Sequence, residues 1–81
     1  IQLSAPRGLC NGSFHGQPAL FIADSGSSTI GVVSLKDGCV THLIGGTGDD
    51  IHLQYPTGVA FHYPTLQLYI ADTFNNELKC L

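Results

Sequence analysis

The chain says one thing twice. LFIADSGSS begins at Leu20 and LYIADTFNN begins at Leu68, with Leu, Ile, Ala and Asp in register. Phe21 answers Tyr69, and Ser25 answers Thr73. Ahead of each copy stands a Pro-x-Gly-apolar word, PRGLC over Pro6–Cys10 and PTGVA over Pro56–Ala60. The second copy is slightly shorter between Pro and Asp, and the difference falls between strands, where insertions cost least. A unit of roughly 40–50 residues repeated along a chain marks a propeller or a solenoid.

The pieces of the unit are short and β-like. Leu20–Ala23 and Leu68–Ala71 are continuous apolar runs, which suits strands covered on both faces. Thr29–Leu35 is β-branched, Lys36-Asp37-Gly38 forms a turn, and Cys39–Ile44 returns as its partner strand. GGTGDD, from Gly45 to Asp50, breaks all periodicity and reads as a loop. No apolar residues recur at helical spacing over three turns. The fold class is therefore all-β, in about two blades of four-stranded antiparallel sheet, with the repeated words as central strands. The expected divisions are a first blade over 1–46, an inter-blade loop over 47–55 and a second repeat over 56–81. The second repeat stops before its outer hairpin. A sheet with two apolar faces cannot satisfy itself, and radial stacking covers both faces without long exposed edges. Ile22, Val33, Val59 and Ile70 are the residues expected to need a neighbouring blade. With no Met even at position 1, the chain reads as a piece of something longer.

Charge narrows the function classes. Asp24, Asp37, Asp49, Asp50, Asp72 and Glu77 outnumber Arg7, Lys36 and Lys79, for a net −3. Three isolated cations cannot displace counterions along a phosphate backbone, so no nucleic acid is expected as a partner. Hydrophobic residues make up 43% and charged ones 11%, so the chain packs a core instead of remaining disordered. Cys10, Cys39 and Cys80 are odd in number and form no CxxC pair, which points to reduced thiols in a cytosolic protein. The expected localisation is cytoplasmic. Asn11-Gly12-Ser13 matches a glycosylation sequon that carries no meaning in that compartment. No apolar run reaches the length of ~20 residues needed to cross a bilayer, so no membrane is expected as a partner. No basic-then-apolar segment opens the chain at Ile1.

At YPTGVAFHYPTLQLYIADTFNNELKCL the residues resemble an NHL repeat. Its pattern is Pro-x-Gly-Val-Ala, a variable stretch, then Tyr-Val-Ala-Asp-Ser/Thr-x-Asn-His/Asn. Pro56, Gly58, Val59, Ala60, Tyr69, Ala71, Asp72, Thr73, Asn75 and Asn76 fill it. The first copy departs from it, with Ser27 and Ser28 in place of the two Asn. SSTIGVVSLKDGCVTHLIGG, from Ser27 to Gly46, is similar to one branch of the family. That resemblance implies a six-bladed propeller, with a thioredoxin-like domain upstream in the full-length protein. It also implies a non-catalytic scaffold that binds protein partners. The competing reading is a propeller enzyme, an amidating-lyase-like or hydrolase fragment whose catalytic residues lie on other blades. RNA binding, known for some NHL propellers, is disfavoured by the scarcity of Lys and Arg.

Candidate sites follow the repeat. Asp24 and Asp72 close their strands ahead of a turn, where a carboxylate accepts backbone amides, and Ser25, Thr73, Asn75 and Asn76 can do similar work. Together with Pro56 and Gly58 they form a structural turn motif. A carboxylate pair at the propeller mouth is the functional alternative. His15, His42, His52 and His62 occupy unrelated positions, so no converging zinc site is expected. GGTGDD lacks the GxGxxG spacing and a following Lys, and its two aspartates repel phosphate. It also lacks the ligand order of a calcium loop. DSGSS is no GxSxG elbow. No catalytic residue, metal or cofactor is expected.

Overall fold

The computed structural model describes residues 3–45 and 51–81. Their strands form two antiparallel sheets. The first holds β1 (Pro6–Phe14), β2 (Gln17–Asp24), β3 (Thr29–Ser34) and β4 (Val40–Ile44), in the order β1-β2-β3-β4. The second holds β5 (Pro56–His62), β6 (Gln67–Asp72) and β7 (Glu77–Cys80), in the order β5-β6-β7. One 3-10 turn, Thr73–Asn75, separates β6 from β7. These are two adjacent blades, and the repeated words are β2 and β6, each second in its sheet. Residues 46–50, which carry part of the expected linker and both of its aspartates, lie outside the described residues.

Both copies pair their first two strands with the same irregularity. Register shifts between Pro6 and Gly8 in the first sheet, and between Pro56 and Gly58 in the second. A proline has no N–H for the ladder, so it opens a strand at a bulge. The turn at Lys36–Gly38 forms as its composition predicts, with the Cys39 amide donating to the Asp37 carboxylate at 3.0 Å. That bond keeps Cys39 in the turn, and β4 starts one residue later than expected, at Val40.

Burial decides which side of each sheet meets the other. Along β2, Ala19, Phe21 and Ala23 are buried, while Leu20 and Ile22 are half-buried. Along β6 the parity is reversed: Leu68 and Ile70 are buried, and Tyr69 and Ala71 are half-buried. The same words therefore bury opposite faces. Ile30 on β3 is fully buried, whereas Leu78, at the matching position of β7, is 70% exposed. Side-chain alternation makes this unavoidable when two like sheets stack in one direction, because each offers the other its opposite face. Of the residues expected to need a neighbour, Ile22 and Val33 do lie on the uncovered face of the first sheet. Val59 and Ile70 do not. They already pack into the core between the sheets.

At the centre of this seam Phe21 and Phe61 stack with ring centroids 5.7 Å apart and planes 11° from parallel. Gly12 on β1 lies under both rings. A Cβ there would fall 2.5 Å from Phe61 and 2.9 Å from Phe21, closer than any real side chain sits. The sheets can approach only because that position is bare. Gly31, by contrast, lies on the uncovered face, and a Cβ there would come no nearer than 3.9 Å to another atom. Gly12→Ala should thus destabilise the chain by about 1–3 kcal/mol through overpacking. Gly31→Ala should leave stability close to that of the parent. Equilibrium denaturation of both variants at one fixed protein concentration checks the pair.

Candidate functional site

The buried polar residues gather where the second strand of each sheet ends. Asp24, Ser25, Thr29 and Asp72 are all buried, and Asp72 has no exposed surface. A carboxylate in that setting must be fully bonded to be tolerated. Asp72 accepts the Gln54 amide on Oδ1 at 2.6 Å. Its Oδ2 accepts Asn75 Nδ2 and Lys79 Nζ, each at 2.6 Å. Lys79 also donates to the His52 carbonyl at 2.9 Å, which ties β7 to the segment ahead of β5.

Asp24 repeats the device with different partners. It accepts the Ala5 amide at 2.7 Å and the Ser4 amide at 3.2 Å. The Ser27 hydroxyl donates to it at 2.7 Å, and so does the work that Asn75 does for Asp72. Gly31 holds the repeat position of Lys79, so Asp24 has no cation in that place. Thr29 meets Ser27 hydroxyl to hydroxyl at 2.7 Å and closes the cluster.

This geometry changes the expected role in one respect. The amides bound by Asp24 and Asp72 belong to the segment that enters the first strand of the same sheet, not to the turn that follows the aspartate. The antiparallel pairing explains this, since Pro6 lies opposite Asp24 and Pro56 opposite Asp72. The amides just ahead of each proline have no ladder partner, and the carboxylate across the pair is the acceptor within reach. Lys79, Gln54, Ser4 and Ala5 were not legible as members of the site. Only the shared Pro-to-Asp frame of the two copies could have pointed to them.

The remaining motif residues bridge the seam or close the turn. The Ser25 hydroxyl donates to the Pro56 carbonyl of the other sheet. Its counterpart Thr73 meets the Thr57 hydroxyl at 2.6 Å within its own sheet. Asn76 adopts a left-handed conformation at φ 53° and returns its N–H to the Thr73 carbonyl at 3.1 Å. The Tyr55 amide donates to the Ser28 hydroxyl at 3.2 Å across the seam. Gly58 stands opposite Ala71 in β5.

The histidines do not all remain apart. His15, in the β1–β2 turn, and His42, on β4, come together with ring centroids 5.8 Å apart, both against Phe14. His62 Nδ1 lies 2.8 Å from the Thr65 hydroxyl. Among the described residues no group of three His, Cys, Asp or Glu side chains converges on one point.

Electrostatics agree with a bonded, charged carboxylate at both positions. Burial alone would push Asp72 up, but the Lys79 ammonium and the Gln54 and Asn75 donors outweigh it and hold the carboxyl below its ordinary value. Burial opposes the charge of Asp24 as well, and the Ala5, Ser27 and Ser4 donors overcome it. Lys79 is raised in turn, chiefly by its hydrogen bond to Asp72. A carboxylate whose folded value is depressed adds stability that is complete above the ordinary value of 3.8 and lost as pH falls through the folded one.

Two outcomes follow for the clamp. Asp72→Ala should cost about 1–3 kcal/mol in the intact protein, because it removes the acceptor shared by Gln54, Asn75 and Lys79, while Asp72→Asn, which keeps an acceptor oxygen, should cost less. Acidification below about pH 4 should lower the melting temperature of the parent, and more steeply than that of Asp72→Asn. Thermal melts across pH measure both. An unchanged melting temperature in Asp72→Ala together with loss of an activity would make the carboxylate chemical instead of structural.

No family model matches the chain. Over 91% of its length it is 39% identical to NHL repeat-containing protein 2 of Homo sapiens and of Bos taurus, and 37% identical to that of Gallus gallus. The chain spans 12% of the length of each of these relatives. Repeat words, sheet order and sequence similarity together are those of a segment of an NHL-repeat protein, built as adjacent blades of a β-propeller.

Proposed function

We propose that this segment is a non-catalytic part of a β-propeller that acts as a cytosolic scaffold for protein partners. The observation that carries the reading is a layered stack standing at the seam. Arg7 lies over the Tyr55 ring, 5.5 Å from its centroid, and donates to the Tyr55 hydroxyl at 2.6 Å. Tyr55 in turn stacks on Phe74 at 4.6 Å, with planes 10° apart. Phe74 remains 62% exposed. Arginine and aromatic side chains fixed in place before binding are the groups that dominate protein interfaces, since little rotamer entropy is left to lose.

Several features hold the stack still. Tyr55 has a left-handed backbone, φ 59°, secured by its amide bond to Ser28. The Phe74 amide donates to the Gln54 carbonyl at 3.0 Å. The site therefore joins both sheets, and it lies beside the buried Asp72 clamp that positions Gln54. Further blades of one propeller and a thioredoxin-like domain upstream complete the protein in this reading.

The test uses the full-length protein. Phe74→Ala and Arg7→Ala should weaken capture of its protein partners while leaving the melting temperature within a few degrees of the parent, as exposed substitutions do. Zinc titration and filter binding with single-stranded RNA should both be silent at micromolar concentrations. Stoichiometric zinc, with an activity lost on chelation, would overturn the scaffold in favour of a propeller enzyme.

A further inference from the structure

The Arg7–Tyr55–Phe74 stack stands at one end of the sheets, clear of the faces on which blades pack. Arg7 follows the proline that opens β1, Tyr55 precedes the proline that opens β5, and Phe74 lies in the turn after β6. Antiparallel pairing puts these three places at the same end, since Pro6 lies opposite Asp24 and Pro56 opposite Asp72. Neighbouring blades cover sheet faces, so they leave this end open however many flank the segment. The layers run guanidinium, Tyr55 ring, Phe74 ring, in steps of 5.5 Å and 4.6 Å, which sets the charge within about 10 Å of the exposed ring.

Among the described residues no carboxylate pairs with Arg7, and the ion pairs are those that Lys79 makes with Asp72 and Glu77. The guanidinium carries five N–H donors in a rigid fork, and the Tyr55 hydroxyl takes one of them. The two aspartates at this end do not compete for the rest. Asp24 is 4% exposed and Asp72 0%, and their oxygens are held by the clamp donors. Beside the stack, the exposed Thr73 and half-buried Thr57 share one hydrogen bond between hydroxyls at 2.6 Å, which leaves one hydroxyl proton for an acceptor from outside.

We propose that the partner presents an acidic, extended segment, with a carboxylate paired to the Arg7 fork and an apolar side chain from the same side of that segment laid on Phe74. This names the partner chemistry of the scaffold and rests on that reading. Charge complementarity selects the carboxylate, because a planar fork held over an aromatic ring matches its two oxygens. A phosphate backbone would call for several cations, and Lys79 is already engaged while Lys36 lies in the β3–β4 turn, at the opposite end. In an extended chain, side chains two residues apart share a side, with Cα atoms about 6.6–6.8 Å apart, and side-chain reach makes up the rest of the span. Tyr55 links the two contacts and is fixed before binding by its amide bond to Ser28, so little ordering remains to be done.

Fluorescence anisotropy on the full-length protein tests it, with capped, dye-labelled pentapeptides as probes. The first is Gly-Glu-Ser-Phe-Gly, the second its neutral counterpart Gly-Gln-Ser-Phe-Gly, and the third Gly-Glu-Phe-Ser-Gly, which puts the two groups on opposite sides. The first should bind saturably, and each of the others about three- to tenfold more weakly, as the loss of one partly exposed charge pair or contact dictates. Arg7→Gln should remove the preference for the Glu peptide over the Gln peptide, and Arg7→Lys should keep part of it. Phe74→Ala should weaken both of those peptides equally. Melting temperatures within a few degrees of the parent check that these exposed substitutions leave the fold intact. Equal affinity of the first peptide and either control, a charge preference that survives Arg7→Gln, or no saturable binding of any probe would each overturn the proposal. Partner capture would be untouched by those results, so the scaffold reading would stand. An activity lost on zinc chelation would overturn that reading without altering the peptide preference.

Discussion

A β-sheet that is apolar on both faces must be covered on both, and this constraint shapes everything else in the molecule. Burying one Phe or Ile side chain is worth about 1.5–3 kcal/mol, which exceeds what most individual hydrogen bonds in the fold contribute net. The core lies between the sheets, where Phe21, Ile30, Val32 and Ile70 are almost completely buried. Neither sheet could hold these residues out of water by itself. Stacking like sheets in one direction then forces the reversed burial parity of β2 and β6, and it requires small residues where the backbones approach.

The carboxylate clamps follow from that stacking. A strand that opens on proline leaves the preceding amides without a ladder partner, and a backbone donor left unpaired at the edge of the core is costly. Asp24 and Asp72 answer the cost from across the pair. Charge makes them strong acceptors, and the donors around them keep the charge in place against burial. The two clamps show how much freedom the device has. Serine replaces asparagine as one donor, a lysine is present in one copy and absent in the other, and the carboxylate remains. Chemistry at these positions would need an oxygen free to leave its partners. In Asp72, itself fully buried, both oxygens are occupied by donors from Gln54, Asn75 and Lys79.

The frame of this structure was legible in the sequence because it is local and repeated. Apolar runs bounded by turns placed β2 and β6, Lys36–Gly38 placed the β3–β4 turn, and duplication placed the two sheets side by side. What escaped is what needs two sheets to exist. Val59 and Ile70 read as seeking a neighbour, yet they already have one, because period-two alternation does not reveal which face looks inward. His15 and His42 are separated by two strands in sequence and meet only after β4 folds back on β3. The amide partners of Asp24 and Asp72 lie a hairpin away, beyond the reach of any rule about neighbouring residues. Ser27 looked like a defect in the repeat and is a working substitute for Asn75.

The seam itself is open to direct observation through the stacked rings of Phe21 and Phe61, which belong to different sheets and meet over a glycine. A two-dimensional nuclear Overhauser spectrum of the labelled chain should show cross-peaks between the ring protons of Phe21 and Phe61, and from both rings to the Hα protons of Gly12. Their presence would establish the face-to-face contact from which the clamps, the reversed parity and the bare faces all follow. Intact cross-strand peaks within each sheet, without any between those rings, would mean that the sheets form separately and that the seam does not exist in solution.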